Sequence, residues 1–224
     1  MSEYSINLNK LLQLFALPDG KMRGKVRPDV QNFIAKEKGQ KEEGGHHFHL
    51  PFWRDLKFHI AGHGDLEQMT KDRIAQSPVY RARLYRLLCD SALEWLRGLN
   101  EKVSLAAIKV KGTYIPADFE TKIKVHTFLS LKTGSGAIRS LYPYFSDEPG
   151  LTEEMARLGL WIMKKALPDT PEDQLFIYDI LRKKTYSLQD TAFLGNEEAL
   201  FEHHMVRVQL MWDSLYTELS TNAA

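Results

Sequence analysis

The chain has a single cysteine, Cys89, in 224 residues. An intrachain disulfide, a zinc finger and a dithiol redox pair are therefore excluded, and the usage suits a reducing compartment. In the run Leu87-Leu88-Cys89-Asp90 the thiol reads as a small, inert core or flank residue. Long hydrophobic runs are also missing. No apolar stretch approaches the ~20 residues that a membrane-spanning helix needs. The segment Met1 to Ser5 lacks a basic region followed by an apolar one, so no secretory signal is expected. Nor is there an excess of charge of one sign. Thirty Lys and Arg stand against 29 Asp and Glu, a formal net charge of +1. That gives no bulk pull toward nucleic acid or anionic membrane, and any such partner must meet a local patch. No Walker-type phosphate loop, dinucleotide-binding glycine fingerprint or serine nucleophile elbow occurs. These absences predict a cytoplasmic protein with no membrane partner.

What is present is an ordinary globular composition, 43% hydrophobic and 26% charged. The length suffices for one well-buried core. We expect a single domain over 1–224, with a helical and loop-rich part over 1–76 and an α+β part over 77–224. Leu8, Leu11, Leu12 and Phe15 fall on one helical face, and Leu17-Pro18-Asp19-Gly20 stops that helix. Pro28 reads as the first-turn proline of a second helix carrying Val30, Phe33 and Ile34, which Gly39 can end. Lys36 to Gly45 reads as a charged loop. Ser77-Pro78 opens a long helix with Leu84, Leu87, Leu88, Ala92, Trp95 and Leu99 on one face.

The period then changes. Val103 to Ile115 reads as one strand, and Ile123, Val125, Thr127, Leu129 and Leu131 alternate with polar or aromatic neighbours as a second. Turns are expected at Pro116-Ala117-Asp118 and at Thr133 to Gly136. Ala137 to Phe145 is a third strand, with Pro143 placed near an edge or an end. Thr152 caps a helix bearing Met155, Leu158, Gly159, Ile162 and Ala166, which Pro168 ends. Leu175 to Ile180 is a strand, with Lys184 to Leu188 as either its hairpin partner across Arg182-Lys183-Lys184 or a short extension. Asn196 opens a last helix of about two dozen residues. The whole predicts an α+β fold: a mixed sheet of about four to five strands, mostly an antiparallel meander, packed by helices.

Three constellations carry candidate chemistry. Five of the eight histidines lie in His46-His47-Phe48-His49 and His59-Ile60-Ala61-Gly62-His63. His59 and His63, four apart, could share a metal on a helix, although Ile60 stands where a metalloprotease has glutamate and Gly62 disfavours the helix. Lys21, Arg23, Lys25 and Arg27 recur at every second residue. On an extended segment they would line one face and could track phosphates. The third constellation spans Arg83 to Leu188. There a long helix carries Glu94, and a strand runs through Lys111-Gly112-Thr113-Tyr114-Ile115. A further strand ends Leu129-Ser130-Leu131-Lys132-Thr133-Gly134, followed by a helix and the strand Phe176 to Ile180.

That order resembles the RecB-type branch of the PD-(D/E)XK, or restriction-endonuclease-like, superfamily. The resemblance implies a site in which carboxylates hold Mg²⁺ or Mn²⁺ while a lysine orients the nucleophile. Carried over, Glu94 takes the place of the helix glutamate and Lys132, followed by Thr133-Gly134, that of the lysine. Ser130 stands where the acid two residues earlier belongs, and Pro116 follows Ile115 where an aspartate is expected, leaving Asp118 as its substitute. Glu120-Thr121-Lys122 offers a second acid-x-lysine, compressed into one turn. With acids missing, the metal would be poorly held, so the resemblance implies a degenerate member. Two functions follow as expectations. One is a non-catalytic nuclease-fold module that binds nucleic acid or a nucleic-acid-processing partner. The other is a protein-interaction scaffold without a catalytic site.

Overall fold

A computed structural model describes residues 4–39, 49–126 and 128–221. The first half runs β1 (Tyr4–Asn7), α1 (Leu8–Ala16), α2 (Asp19–Glu37), α3 (His49–Ile60), α4 (Leu66–Ala75) and α5 (Val79–Gly98). The second runs β2 (Val103–Leu105), β3 (Gly112–Tyr114), β4 (Thr121–Val125), β5 (Leu129–Thr133), β6 (Ile138–Tyr144), α6 (Glu153–Ala166), β7 (Leu175–Asp179), β8 (Lys184–Ser187) and α7 (Glu197–Thr221). The fold is α+β, as expected, but its strands divide between two sheets. The larger has the order β2-β5-β6-β7-β8 and the smaller β1-β4-β3. In the larger, β6 and β7 are parallel and joined through α6, while the other pairs are antiparallel. In the smaller, β1 runs parallel to β4 and β3 antiparallel to it.

The five-stranded sheet separates two apolar cores. Tyr142, Tyr144, Leu175, Ile177 and Tyr186 point into the first, where α1, α2, α6 and α7 supply the facing residues. Leu129, Leu131, Leu141, Tyr178 and Ile180 point into the second, under α3, α4 and α5. Alternate residues of β6 and β7 therefore serve opposite cores, as strands covered on both faces must.

This division explains where the chain departs from the sequence expectation. The continuous alternation from Ile123 to Leu131 is not one strand. The chain breaks after Val125, and β4 and β5 enter different sheets. Ile123 and Val125 serve the first core, Leu129 and Leu131 the second. Alternation records burial but not which core receives it. Val103 to Ile115 likewise splits into β2 and β3, one in each sheet.

The basic row from Lys21 to Arg27 is helical, not extended, and Pro28 stands inside α2 instead of opening a helix. Met22, Val26 and Val30 are buried at four-residue spacing. Their burial offsets the ~3 kcal/mol that an interior proline costs a helix. Pro78 rather than Ser77 occupies the N-cap of α5, whose buried face is Tyr85, Leu88, Cys89 and Ala92, with Leu87 turned outward. Pro143 lies at the end of β6, beyond its last pairing with β5 at Leu129–Leu141. The Thr133–Gly136 turn closes the β5–β6 hairpin, the Gly136 N–H donating to the Thr133 carbonyl at 2.9 Å. Thr152 caps α6 by accepting from the Met155 N–H, and α7 follows Asn196 as read. Among the described residues no helix is long and apolar enough to cross a membrane.

Candidate functional site

The four residues carried over from the nuclease resemblance lie at three separate places. Glu94, its side chain 61% exposed, pairs with Lys183 in the β7–β8 turn. Lys132 is exposed on β5, opposite Ser104 and Ile138. The β6 strand runs from Ile138 to Tyr144, and Tyr144 pairs with Asp179, just before the turn that holds Lys183. Glu94 and Lys132 thus stand at opposite ends of the larger sheet, about 20 Å apart at ~3.3 Å per strand residue. Asp118 and Glu120 are neighbours in the exposed β3–β4 turn of the other sheet. Ser130 is buried opposite Ser140, whose hydroxyl has no hydrogen-bond partner among the described residues.

The basic row also disperses. In a helix, residues two apart point in nearly opposite directions, so only Arg23 with Arg27 and Lys21 with Lys25 share a side. Arg23 and Arg27 both pair with Glu218 of α7, Arg27 at 3.0 Å. Their shared carboxylate joins α2 to α7.

Of the histidines, His59 ends α3 with Nδ1 3.0 Å from the Gly64 carbonyl oxygen, and His63 follows Gly62 at φ +77° with its ring 5.2 Å from Phe58. Because the helix stops at Ile60, the two imidazoles do not share a helical face. His46, His47 and Phe48 lie outside the described residues. Among the described residues no group of three or more His, Cys, Asp or Glu side chains is placed to hold a metal ion.

The structure does assemble a cationic face. In the smaller sheet Thr121, Ile123 and Val125 point inward, so Lys122 and Lys124 point outward. Their strand partners on that face are Ser5, Asn7 and Thr113. His126 follows β4, and Lys109 and Lys111 precede β3, both exposed. Burial and then the charges of Lys124 and Lys111 hold His126 below the ordinary imidazole range. Lys109, Lys111 and Lys124 form no ion pair among the described residues. The Lys-x-Lys spacing within an alternating strand was visible in the sequence, but that its outer face is open follows only from the pairing.

A second feature is an aromatic cleft between α2, α7 and the leading ends of β1 and β4. Nothing in the sequence signalled it, since its walls come from positions as distant as Tyr4 and Tyr216.

Elsewhere, buried polar groups act as clamps. Asp179, fully buried, accepts from the Leu151 and Arg182 N–H groups and from the Arg182 guanidinium. Burial opposes the charge of Glu197, but the N–H groups of Leu194, Glu197 itself and Gly195, with Arg157, outweigh it and hold the carboxyl below its usual range.

Comparison with known proteins finds no match to any family model, curated protein or solved structure.

Proposed function

We propose that the protein is a binding module for nucleic acid that does not cleave it. The observation that carries this reading is the outer face of the β1-β4-β3 sheet. There Lys124, Lys111 and His126 lie close enough for their charges to interact, with Lys122 on the same strand and polar Ser5, Asn7 and Thr113 between. An open sheet face of this kind presents several cations at strand spacing to a phosphate backbone, whose counterions are released on contact. The resemblance to the PD-(D/E)XK superfamily rests on the order α5, β3, β5, α6, β7, although β3 belongs to the smaller sheet and β5 and β7 to the larger. With Glu94, Lys132 and Asp118 apart, the reading assigns no Mg²⁺ or Mn²⁺ and no hydrolytic step.

The test is fluorescence anisotropy with labelled single- and double-stranded DNA and RNA over a salt series. Binding at low salt with a slope of log K against log salt of about −3 on duplex is expected for three to four phosphate contacts. The double variant Lys111→Glu/Lys124→Glu should weaken binding at least tenfold and reduce the slope by about 2. No binding to any of the four at low salt, or binding that this variant leaves unchanged, overturns the reading. The scaffold alternative then takes its place. It is favoured by Val79 and Tyr80, 90% and 74% exposed at the start of α5, which suit a protein partner.

A further inference from the structure

The cleft between α2, α7 and the smaller sheet has a volume of about 300 Å³, at the small end of the range for ligand sites. Four aromatic residues wall it: Tyr4, Phe33, Trp212 and Tyr216. Their rings hold one another in place. Tyr4 lies 4.0 Å from Trp212, centroid to centroid, and Phe33 meets Trp212 edge-on at 5.6 Å and Tyr216 at 6.1 Å. The walls are therefore formed before any ligand arrives. Three carboxylates, Glu37, Glu120 and Asp213, also line it, and among the described residues no Lys, Arg or His does. Glu37 is oriented by the Tyr216 hydroxyl, which donates to it at 2.9 Å. Glu120 and Asp213 enter no ion pair among the described residues.

We propose that this cleft binds a small, free quaternary-ammonium cation. Aromatic faces are electron-rich and attract a cation held over them, most strongly one that gives up its water easily. Inorganic cations and primary ammonium groups keep strong hydration, whereas a trimethylated nitrogen spreads its charge over an apolar surface. The carboxylates add attraction from the rim and repel anions. A neutral amphiphile of the same shape would gain from the rings but nothing from three acids. The inference does not rest on nucleic-acid binding, which uses the outer face of the sheet, whereas Ile6 and Thr121 of the cleft belong to its inner face.

The test is calorimetry on the full chain with choline as the probe. Its neutral isostere 3,3-dimethyl-1-butanol, sodium chloride and a peptide bearing trimethyllysine are the comparison arms. Choline is expected to bind at least tenfold more tightly than the alcohol, with no heat of binding from sodium. The rim variant Glu120→Gln/Asp213→Asn should keep the thermal midpoint and lose tenfold or more in choline affinity. Trp212→Phe should weaken choline while leaving the fold intact by circular dichroism. Equal affinity for choline and the alcohol, or choline affinity untouched by the rim variant, overturns the proposal. So does binding of the peptide without binding of free choline, which would make the ligand peptide-borne. Absence of choline binding at millimolar concentration also overturns it.

Discussion

His204 sits on the buried face of α7, its ring stacked on Phe15 at 4.9 Å and its Nδ1 3.3 Å from the Arg207 guanidinium. Its Nε2 has no hydrogen-bond partner among the described residues. Burial, then the nearby Arg207 charge, lowers its pKa from the ordinary 6.5. In the unfolded chain the imidazole takes up its proton as the pH falls through 6.5, while in the folded chain it resists. The unfolded state then binds more protons, so stability declines with falling pH from 6.5 down to the lower folded value and is level beneath it. His126 is shifted the same way. The thermal midpoint should therefore drop between pH 7 and pH 5, and His204→Phe, which retains the stacking surface, should make that drop shallower. An identical pH profile for the variant would show that His204 does not contribute. Gly112 illustrates a different constraint. A Cβ there would lie 2.1 Å from the Ala166 carbonyl oxygen, a backbone atom that cannot swing aside. Gly112→Ala is expected to destabilise by about 3 kcal/mol or more, at the upper end of overpacking costs, measured by denaturant unfolding. At this scale the sequence was readable where a residue's neighbours are local. Cys89 was expected to be an inert core or flank residue, and it is buried. The demand for glycine at 112 was not readable, since Ala166 is remote in the chain.

Among the elements, those with long, regular periods were legible. The α6 helix with its Thr152 cap, the β7–β8 hairpin and α7 occur where the pattern placed them. The short or ambiguous ones were not. The β1 strand has four residues and exists through its parallel pairing with β4, 117 positions away at Tyr4–Thr121. The α2 helix overrides its own proline because α7 covers its Met22, Val26 and Val30 face. The α3 and α4 helices sit in a stretch whose histidines and glycines masked the helical period. The α7 helix is also where the packing is most concentrated. Phe201, 1% exposed, meets the rings of Phe15, Tyr114, Phe119 and Trp161. Phe201→Ala should cost about 3–5 kcal/mol, read as a lowered denaturant midpoint with an unchanged slope. A cost below about 1 kcal/mol would mean that the site collapses around the gap.

For the molecule as a whole, the larger sheet binds its two cores together. Leu141 and Tyr142 are adjacent in sequence and serve opposite cores. Damage to one core therefore loosens a strand that the other requires, and unfolding followed by far-ultraviolet circular dichroism and by tryptophan fluorescence should give one midpoint. The sequence supported the α+β class, but neither the division into two sheets nor either candidate surface. Glu94 and Lys132 matched a pattern in order while the strands carried them to opposite ends. Lys111 and Lys124 meet through β3–β4 pairing, and Tyr4, Phe33, Glu120 and Trp212 come from four separate stretches of the chain. Such juxtapositions are properties of topology, not of any local window.

The placement of α7 over the first core also has a consequence in time. Leu11, Leu12, Met22 and Val26 are synthesised well before part of their cover, Phe201, Met205, Val208 and Leu215. At about 5–20 residues per second, roughly 10–40 s separate Val26 from Thr221. Throughout that interval the nascent chain carries an uncovered apolar surface, the kind that makes incompletely folded chains prone to aggregate.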